Sequence, residues 1–244
     1  QRRDALRALV ACPTASIGTA EKHDLAPVIA GFPEPIEDEV RYCGFHHEAS
    51  YGAASYLILR PEGNVLVDSP RFTAPLVRNI EALGGVRWMF LTHRDDVADH
   101  RKFRARFGCE RVLHRGDVTR GTADVERKIE GDAPEALAED LLVIPTPGHT
   151  RGSACLLYRE KFLFSGDHVA WSGRRGRVVA FKDACWYDWD AQRASMRRLA
   201  AFRFERILPG HGRRCAFPAE EMRGRILACA AWMEKERPAR GAVA

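Results

Sequence analysis

The chain has 244 residues and no CxxC pair; its seven cysteines, Cys12, Cys43, Cys109, Cys155, Cys185, Cys215 and Cys229, are odd in number and widely scattered. That pattern argues against a zinc ribbon or a dithiol redox centre and for free, mostly buried thiols in a reducing compartment. No apolar run approaches the roughly 18 residues that a membrane-crossing helix needs. No Lys/Arg-rich run interleaved with aromatics occurs and the net charge is only +5, so neither nucleic acid nor membrane is expected as a partner. Internal repeats and low-complexity tracts are absent as well. There is no Met at the start and no signal-peptide pattern, which predicts a trimmed N-terminus. The expected location is the cytoplasm, with a plastid or other organelle, after removal of a transit peptide, as the alternative.

What is present is a globular composition, 45% hydrophobic and 29% charged, in a length that can bury a sizeable core. "QRRDALRALVACPTASIG" predicts a short amphipathic helix (Ala5, Leu6, Leu9, Val10) stopped by Pro13. "EKHDLAPVIAGFPEPIEDE", with Pro27, Pro33 and Pro35 among acids, predicts a linker. From about residue 39 the runs become strand-like: "EVRYCGF", "ASYLILR" and "NVLVDSP". Helical and strand patterns then alternate through "APLVRNIEALGG", "VRWMFLTH", "RKFRARFG" and "RVLH". Residues 116–140 are polar and acidic and predict loop with a short helix. Three strand-like runs follow, "LLVIPTPGHT", "SACLLYRE" and "KFLFSGDHV", and then an Arg- and aromatic-rich excursion over 171–188. "DAQRASMRRLAAF" predicts a helix, "RILPGHG" a strand and loop, and "AEEMRGRILACAAWMEKE" a last amphipathic helix. Strands in two runs with helices outside predict an α/β fold, a four-layer αββα sandwich. The expected division is 1–38, N-terminal helix and linker, and 39–244, the main domain.

One local pattern recurs: an apolar, strand-like run ends in a histidine or an aspartate. It appears at "MFLTH" (His93), "VIPTPGHT" (His149), "FLFSGDH" (Asp167, His168), "ILPGHG" (His211) and "VLVDSP" (Asp68). Imidazole and carboxylate are ligands of choice for zinc, manganese and iron. Ligands at strand ends converge because the sheet fixes where each end lies. Glycines beside His149, Asp167 and His211 let the backbone turn tightly around a small centre. One such histidine alone reads as a surface or hydrogen-bonded residue; the set predicts a metal centre.

In this order and spacing, "NVLVDSP", "LTH…DH", "PTPGHTRGS", "LFSGDH" and "LPGHG" resemble the metallo-β-lactamase fold superfamily over roughly residues 40–215. The resemblance implies an αββα sandwich with one or two divalent ions in an edge cleft, zinc or iron, with manganese as a further candidate. It implies hydrolysis of the kind performed by glyoxalase II-like thioesterases, lactonases and β-lactamases, although some members bind iron and handle sulfur or oxygen chemistry. By motif, His149 matches a ligand of the first metal, Asp167 the carboxylate bridging two metals, and His211 a ligand of the second. His93 matches a histidine of the opening motif, and Asp68 an acid that accepts the other N–H of a ligand imidazole.

The departure lies in that opening motif. The family writes H-x-H-x-D-H, and this chain has H-R-D-D-V-A-D-H from His93 to His100. In one alignment Asp95 and Asp96 occupy the Asp-His pair and His100 is an extra residue one helical turn on. In the other, Asp99 and His100 form the pair and Asp95 replaces the second histidine. The spacing to "RFG" favours the first, and on a helix Asp96 and His100, at i and i+4, would share a face. The expected ligands are His93, Asp95, Asp96, His100, His149, Asp167 and His211, with Asp95 and Asp96 also positioning or deprotonating the attacking water. Any one of these acids alone could instead favour a helix N-terminus, an effect of about 0.3–1 kcal/mol. Carboxylate in place of imidazole tilts the site from zinc toward iron or manganese.

For binding a small-molecule substrate, His46 and His47 in "CGFHHEASYG" and Arg174 and Arg175 in "WSGRRGRVVAFKDACWYDWD" are weaker candidates. A solvated basic loop with aromatics packed on the domain is the preferred reading of the latter segment. "ALRALVACP" resembles the approach to the last cluster cysteine of a small ferredoxin, which implies a remnant, a lost fused module or a ferredoxin-type electron partner; one cysteine cannot hold a cluster. The expected activity is metal-dependent hydrolysis of a small ester, thioester or lactone-like substrate. The alternatives are an iron-dependent redox enzyme acting on a sulfur-containing substrate and a non-catalytic metal-binding member.

Overall fold

The amphipathic stretch at the start folds as predicted: α1 (Arg2–Ala11) buries Leu6, Val10 and Ala11 on one face and ends two residues before Pro13. The computed structural model describes residues 2–236; Gln1 of the predicted N-terminal segment and residues 237–244 of the predicted main domain lie outside this range. Contacts divide the chain into two compact units, residues 1–113 with 119–128, and 114–118 with 129–244.

In the first unit α1 is followed by α2 (Ala26–Ala30), β1 (Glu34–Glu37), β2 (Val40–Tyr42), β3 (Tyr56–Ile58), β4 (Val65–Val67), α3 (Ala74–Ala82), β5 (Trp88–Phe90), α4 (His100–Phe107), β6 (Glu110–His114) and β7 (Arg127–Ile129). The strands form a seven-stranded sheet in sequence order. The chain enters that sheet inside the predicted linker, because β1 is an edge strand and an edge tolerates Pro35. The sheet is antiparallel up to β4 and parallel from β4 through β6, where α3 and α4 make the crossovers. β3 and β4 are buried throughout, which explains their unbroken apolar runs. Leu57, Ile58, Leu66, Leu76, Ile80, Phe90 and Phe103 are fully buried, each worth roughly 1.5–3 kcal/mol of burial. Val67 pairs with Phe90 in parallel register, so Asp68 and the Leu91–His93 segment leave adjacent strand ends side by side.

The second unit contains β8 (Glu135–Ala138), β9 (Leu141–Pro145), β10 (Ala154–Tyr158), β11 (Phe162–Gly166), β12 (Ala170–Ser172), β13 (Arg177–Val179), α5 (Trp189–Leu199), β14 (Arg206–Pro209), β15 (Cys215–Ala216) and α6 (Ala219–Lys235). Its six-stranded sheet runs β15-β14-β11-β10-β9-β8, and β12-β13 is a separate hairpin. Ile144, Cys155, Leu163, Met196, Ile207, Met222 and Ile226 form its dry core. Residues 116–140, expected as loop with a short helix, hold β7 and β8 instead. Each lies at the edge of its own sheet, where one exposed side accepts the charged composition that disguised them. β14 joins β11 in parallel, pairing Gly166 with Pro209, so Asp167 and the Gly210–His211 turn emerge together. Among the described residues no helix is long and apolar enough to cross a membrane.

Candidate metal centre

In the first unit a relay fixes His93, which is 1% exposed. Its Nδ1 lies 3.0 Å from Thr92 Oγ1, and that hydroxyl lies 3.0 Å from both Asp68 carboxylate oxygens. The hydroxyl has one proton, which goes to the carboxylate, so it accepts the Nδ1–H of the ring. The lone pair of His93 is thereby held on Nε2, 4.0 Å from Oδ2 of the fully buried Asp96. Asp68 also accepts the Thr92 N–H at 2.8 Å, and the Ser69 N–H donates to the Asp96 carbonyl at 3.1 Å. These bonds hold Asp68 in the left-handed region, φ 58, a strained conformation for a non-glycine residue. The sequence predicts that Asp68 accepts an N–H of a ligand imidazole; in the structure the Thr92 hydroxyl, whose only signal was its place before the histidine, touches both Asp68 and His93.

The remaining residues of the opening motif have different neighbours. Asp95 is 28% exposed on its side chain and 3.8 Å from Arg94 Nε. Asp99 accepts the Phe72 N–H at 2.8 Å, pairs with Lys102 at 2.7 Å and faces His47 Nε2 at 3.4 Å. Burial works against its charge, but Lys102, the Phe72 N–H and His47 hold its carboxyl below the ordinary value. The expected pairing of Asp96 with His100 on one helix does not form, because α4 begins at His100 and Asp96 lies in the preceding turn. His100 Nδ1 instead accepts from Arg111 Nη1 at 3.0 Å, and the ring also bonds the Gly121 backbone. Arg111 is 2% exposed and gathers Glu126, Asp124 and His100 around its guanidinium. Burial, then the charge of Arg111, lowers the His100 pKa.

Of the weaker substrate candidates, His46, His47 and Arg175 have neighbours of their own. His46 Nε2 is 2.5 Å from the Tyr42 hydroxyl, and His47 Nδ1 accepts the Ala49 N–H at 2.9 Å, capping a short 3-10 turn. Arg174 and Arg175 sit exposed in the turn between β12 and β13, and Arg175 lies over the Trp232 ring. Cys12 follows α1 with its thiol drawn down to about 6, by the Ser16 hydroxyl first and then the Ile17 N–H.

In the second unit the backbone does the orienting. His149 Nδ1–H donates to the Ala184 carbonyl at 2.5 Å, leaving Nε2 with the lone pair 3.7 Å from Asp167 Oδ2. The Trp186 N–H closes on the His149 carbonyl at 2.8 Å, and the Asp188 N–H on that of Gly148 at 3.0 Å. Asp117, fully buried, accepts the Thr150 hydroxyl at 2.5 Å and the Gly152 N–H at 2.7 Å. Sequence reasoning missed Asp117, which sits far upstream in a stretch with no recognisable motif. Gly148 is required by space: a Cβ there would lie 2.2 Å from Gln192 Cβ. His211 Nδ1 lies 2.9 Å from both Asp167 oxygens, and its N–H donates to the same carboxylate at 3.1 Å. His168 turns inward, 1% exposed, and burial first, then His149 and Arg198, pushes its pKa down to about 3.

Each unit thus presents an imidazole Nε2 and a carboxylate oxygen no more than 4.0 Å apart, with the other ring nitrogen committed to an oxygen. This mixed nitrogen and oxygen donor set fits zinc, iron or manganese, and a buried carboxylate is stabilised by a cation.

Residues 37–230 match the family profile described as the metallo-beta-lactamase superfamily. The chain therefore belongs to that superfamily, and the α/β fold class expected from the sequence is the observed one. Over 130 residues it is 37% identical to a hydroxyacylglutathione hydrolase from Anaeromyxobacter dehalogenans (strain 2CP-C), a match covering 50% of this chain and 49% of that protein. The matched stretch is thus about half the length of that relative. Among solved structures, the metallo-beta-lactamase FIM-1 from Pseudomonas aeruginosa, in a mono-zinc form, aligns with TM-score 0.62 and 18% identity over 83% of this chain and 94% of its own. ETHE1 from Myxococcus xanthus aligns with TM-score 0.56 and 18% identity over 82% of this chain and 92% of its own. At these identities the two structures speak for the fold alone.

Proposed function

We propose that the protein is a metal-dependent hydrolase of a small thioester, with His93 and Asp96 of the first unit and His149, Asp167 and His211 of the second as ligands. The carrying observation is that the rings of His93 and His149 are fixed through Nδ1, which holds the Nε2 lone pair beside a carboxylate oxygen. That both units serve one centre is the arrangement the family's motif order implies. When bound, a divalent ion supplies Lewis acidity toward a carbonyl and lowers the pKa of a water. The chain's own part is to hold the ligands rigid and to move a proton. Asp96, fully buried, orients the attacking water, and the partly exposed Asp95 takes up its proton and releases it to solvent. His100 is left out of this set because Arg111 engages its ring. A hydroxyacylglutathione hydrolase among the relatives supports the thioester as substrate class. The free thiols support a reducing compartment such as the cytoplasm.

The test is metal analysis and thiol release from a lactoyl thioester, using protein prepared in zinc-, iron- and manganese-supplemented medium. The expected result is stoichiometric metal and turnover, both lost in His149→Ala. Stoichiometric metal without hydrolysis of any thioester, ester or lactone would overturn the reading. A second reading, an iron-dependent enzyme oxidising a sulfur substrate, is favoured by Asp95 and Asp96, which make the opening motif more anionic than the family's histidines. Selective retention of iron, with oxygen consumed in proportion to a thiol or persulfide added, would establish it.

A further inference from the structure

The buried face of α5 is not purely apolar. Trp189, Met196 and Leu199 join the core of the second unit, but Gln192 and Ser195 between them are polar and only 0% and 1% exposed. A buried polar group costs free energy unless it is bonded, so the partners of these two side chains are informative. Gln192 Nε2 donates to the His168 carbonyl at 3.2 Å, and Ser195 Oγ donates to the Pro147 carbonyl at 2.8 Å. His168 directly follows Asp167, and Pro147 lies two residues before His149. At i and i+3 the two side chains are neighbours on the helix surface. One face of one helix thus holds both loops that carry His149 and Asp167.

The packing on that face is equally close. A Cβ on Gly148 would lie 2.2 Å from Gln192 Cβ and 2.3 Å from its Cα, so the His149 loop is seated directly on this residue. The helix start is tied in as well. The Asp188 carboxylate caps α5 by accepting the Ala191 N–H at 2.6 Å, and the Asp188 N–H donates to the Gly148 carbonyl at 3.0 Å. The His168 ring gives its turn no anchor: it is buried, and neither nitrogen has a hydrogen-bond partner among the described residues. Gln192 Oε1 has none either. A buried amide bonded at one end only adds little stability, so its use lies in what Nε2 holds.

Resting on the reading of His149 and Asp167 as metal ligands, we propose that Gln192 is a positioning residue that sets their separation, 3.7 Å from His149 Nε2 to Asp167 Oδ2. It seats the His149 loop through Gly148 and holds the Asp167 turn through the His168 carbonyl, while Ser195 secures Pro147. No side chain of α5 takes part in the chemistry itself.

Gln192→Met tests this, because it keeps the Cα and Cβ that meet Gly148 but cannot donate to the His168 carbonyl. The probe is cobalt(II), a spectroscopic stand-in for zinc. The variant is expected to bind cobalt about tenfold more weakly in competition with a chelator, and to shift its visible d–d absorption. Ser195→Ala should act in the same direction and by less. Leu199→Val, a core truncation at the other end of α5, should lower the melting temperature and leave cobalt affinity and spectrum at their wild-type values. Wild-type affinity and spectrum in Gln192→Met, or equal changes in Leu199→Val, overturn the proposal and leave the metal-centre reading standing. Failure of the wild-type protein to bind cobalt, zinc, iron or manganese counts against that reading instead. The role of Gln192 is then judged by hydrogen exchange of the metal-free protein. The Trp186 and Asp188 N–H groups, which close on His149 and Gly148, should exchange roughly tenfold faster in Gln192→Met, with β10 unchanged. Equal exchange in variant and wild type overturns it.

Discussion

The two units hold their candidate ligands by different means. In the first, His93 is oriented by side chains, through Thr92 to Asp68, and the acids around it are shared among Arg94, Lys102 and His47. In the second, His149 is oriented by a main-chain carbonyl, within a loop closed by backbone N–H groups and the buried Asp117. A side-chain relay can be cut by one substitution and leave the fold intact. A backbone relay has no side chain to remove, so only a change that displaces the loop can break it.

The largest expected effect comes from the second unit's candidate ligands. His149→Ala or Asp167→Ala should remove bound metal and lower kcat/KM by about 10³ or more, read by metal analysis and thiol release. A retained metal and an activity within tenfold of wild type would place the centre elsewhere. Next comes Gly148→Ala, which attacks the second unit's backbone device. Its Cβ would meet Gln192 at 2.2 Å, so the loop or α5 must shift, with a cost of about 1–3 kcal/mol in denaturant melts and weakened metal binding. Unchanged melting would show that the loop is not rigid.

Thr92→Val cuts the first unit's relay while keeping its shape, and should lower metal affinity by roughly 10–100-fold in competition with a chelator. Asp68→Asn should act in the same direction, and a full effect in one without the other would break the relay description. His100→Gln sharpens the comparison from the other side. It disturbs the Arg111 cluster by about 1–2 kcal/mol, yet metal content should hold within twofold. Loss of metal would return His100 to the ligand set.

The smallest effect is acid sensitivity in the same cluster. Burial works against the Glu126 charge, but its bonds to Arg111 hold its carboxyl at about 2, below its ordinary 4.5. A depressed folded pKa gives stability that is present above about pH 4.5 and lost as the pH falls toward 2. Glu126→Gln should lower stability at neutral pH and flatten the loss over that window in pH-dependent melts. An unaltered acid profile would show that Arg111 finds another partner.

Much of this was legible because strand-end histidines and aspartates leave a pattern that survives without contacts. "PTPGHT", "SGDH" and "LPGHG" pointed to His149, Asp167 and His211, and the parallel pairing of β11 with β14 accounts for the last two emerging together. What was not legible came from partners distant in sequence. Asp117 reaches Thr150 and Gly152 across more than thirty positions, and no periodicity links them. The helix expected to carry both Asp96 and His100 begins only at His100, whose ring meets the buried guanidinium of Arg111 from strand β6.

By itself, then, the sequence determined the fold class, the family and the strand ends at which the candidate ligands lie, because hydrophobic periodicity and turn glycines are local properties. The tertiary structure alone decided which ring nitrogen of His93 and of His149 is committed, and that Thr92 stands between Asp68 and His93. Those are matters of hydrogen-bond direction and charge proximity, set only when segments distant in the chain are brought within a few ångströms of one another.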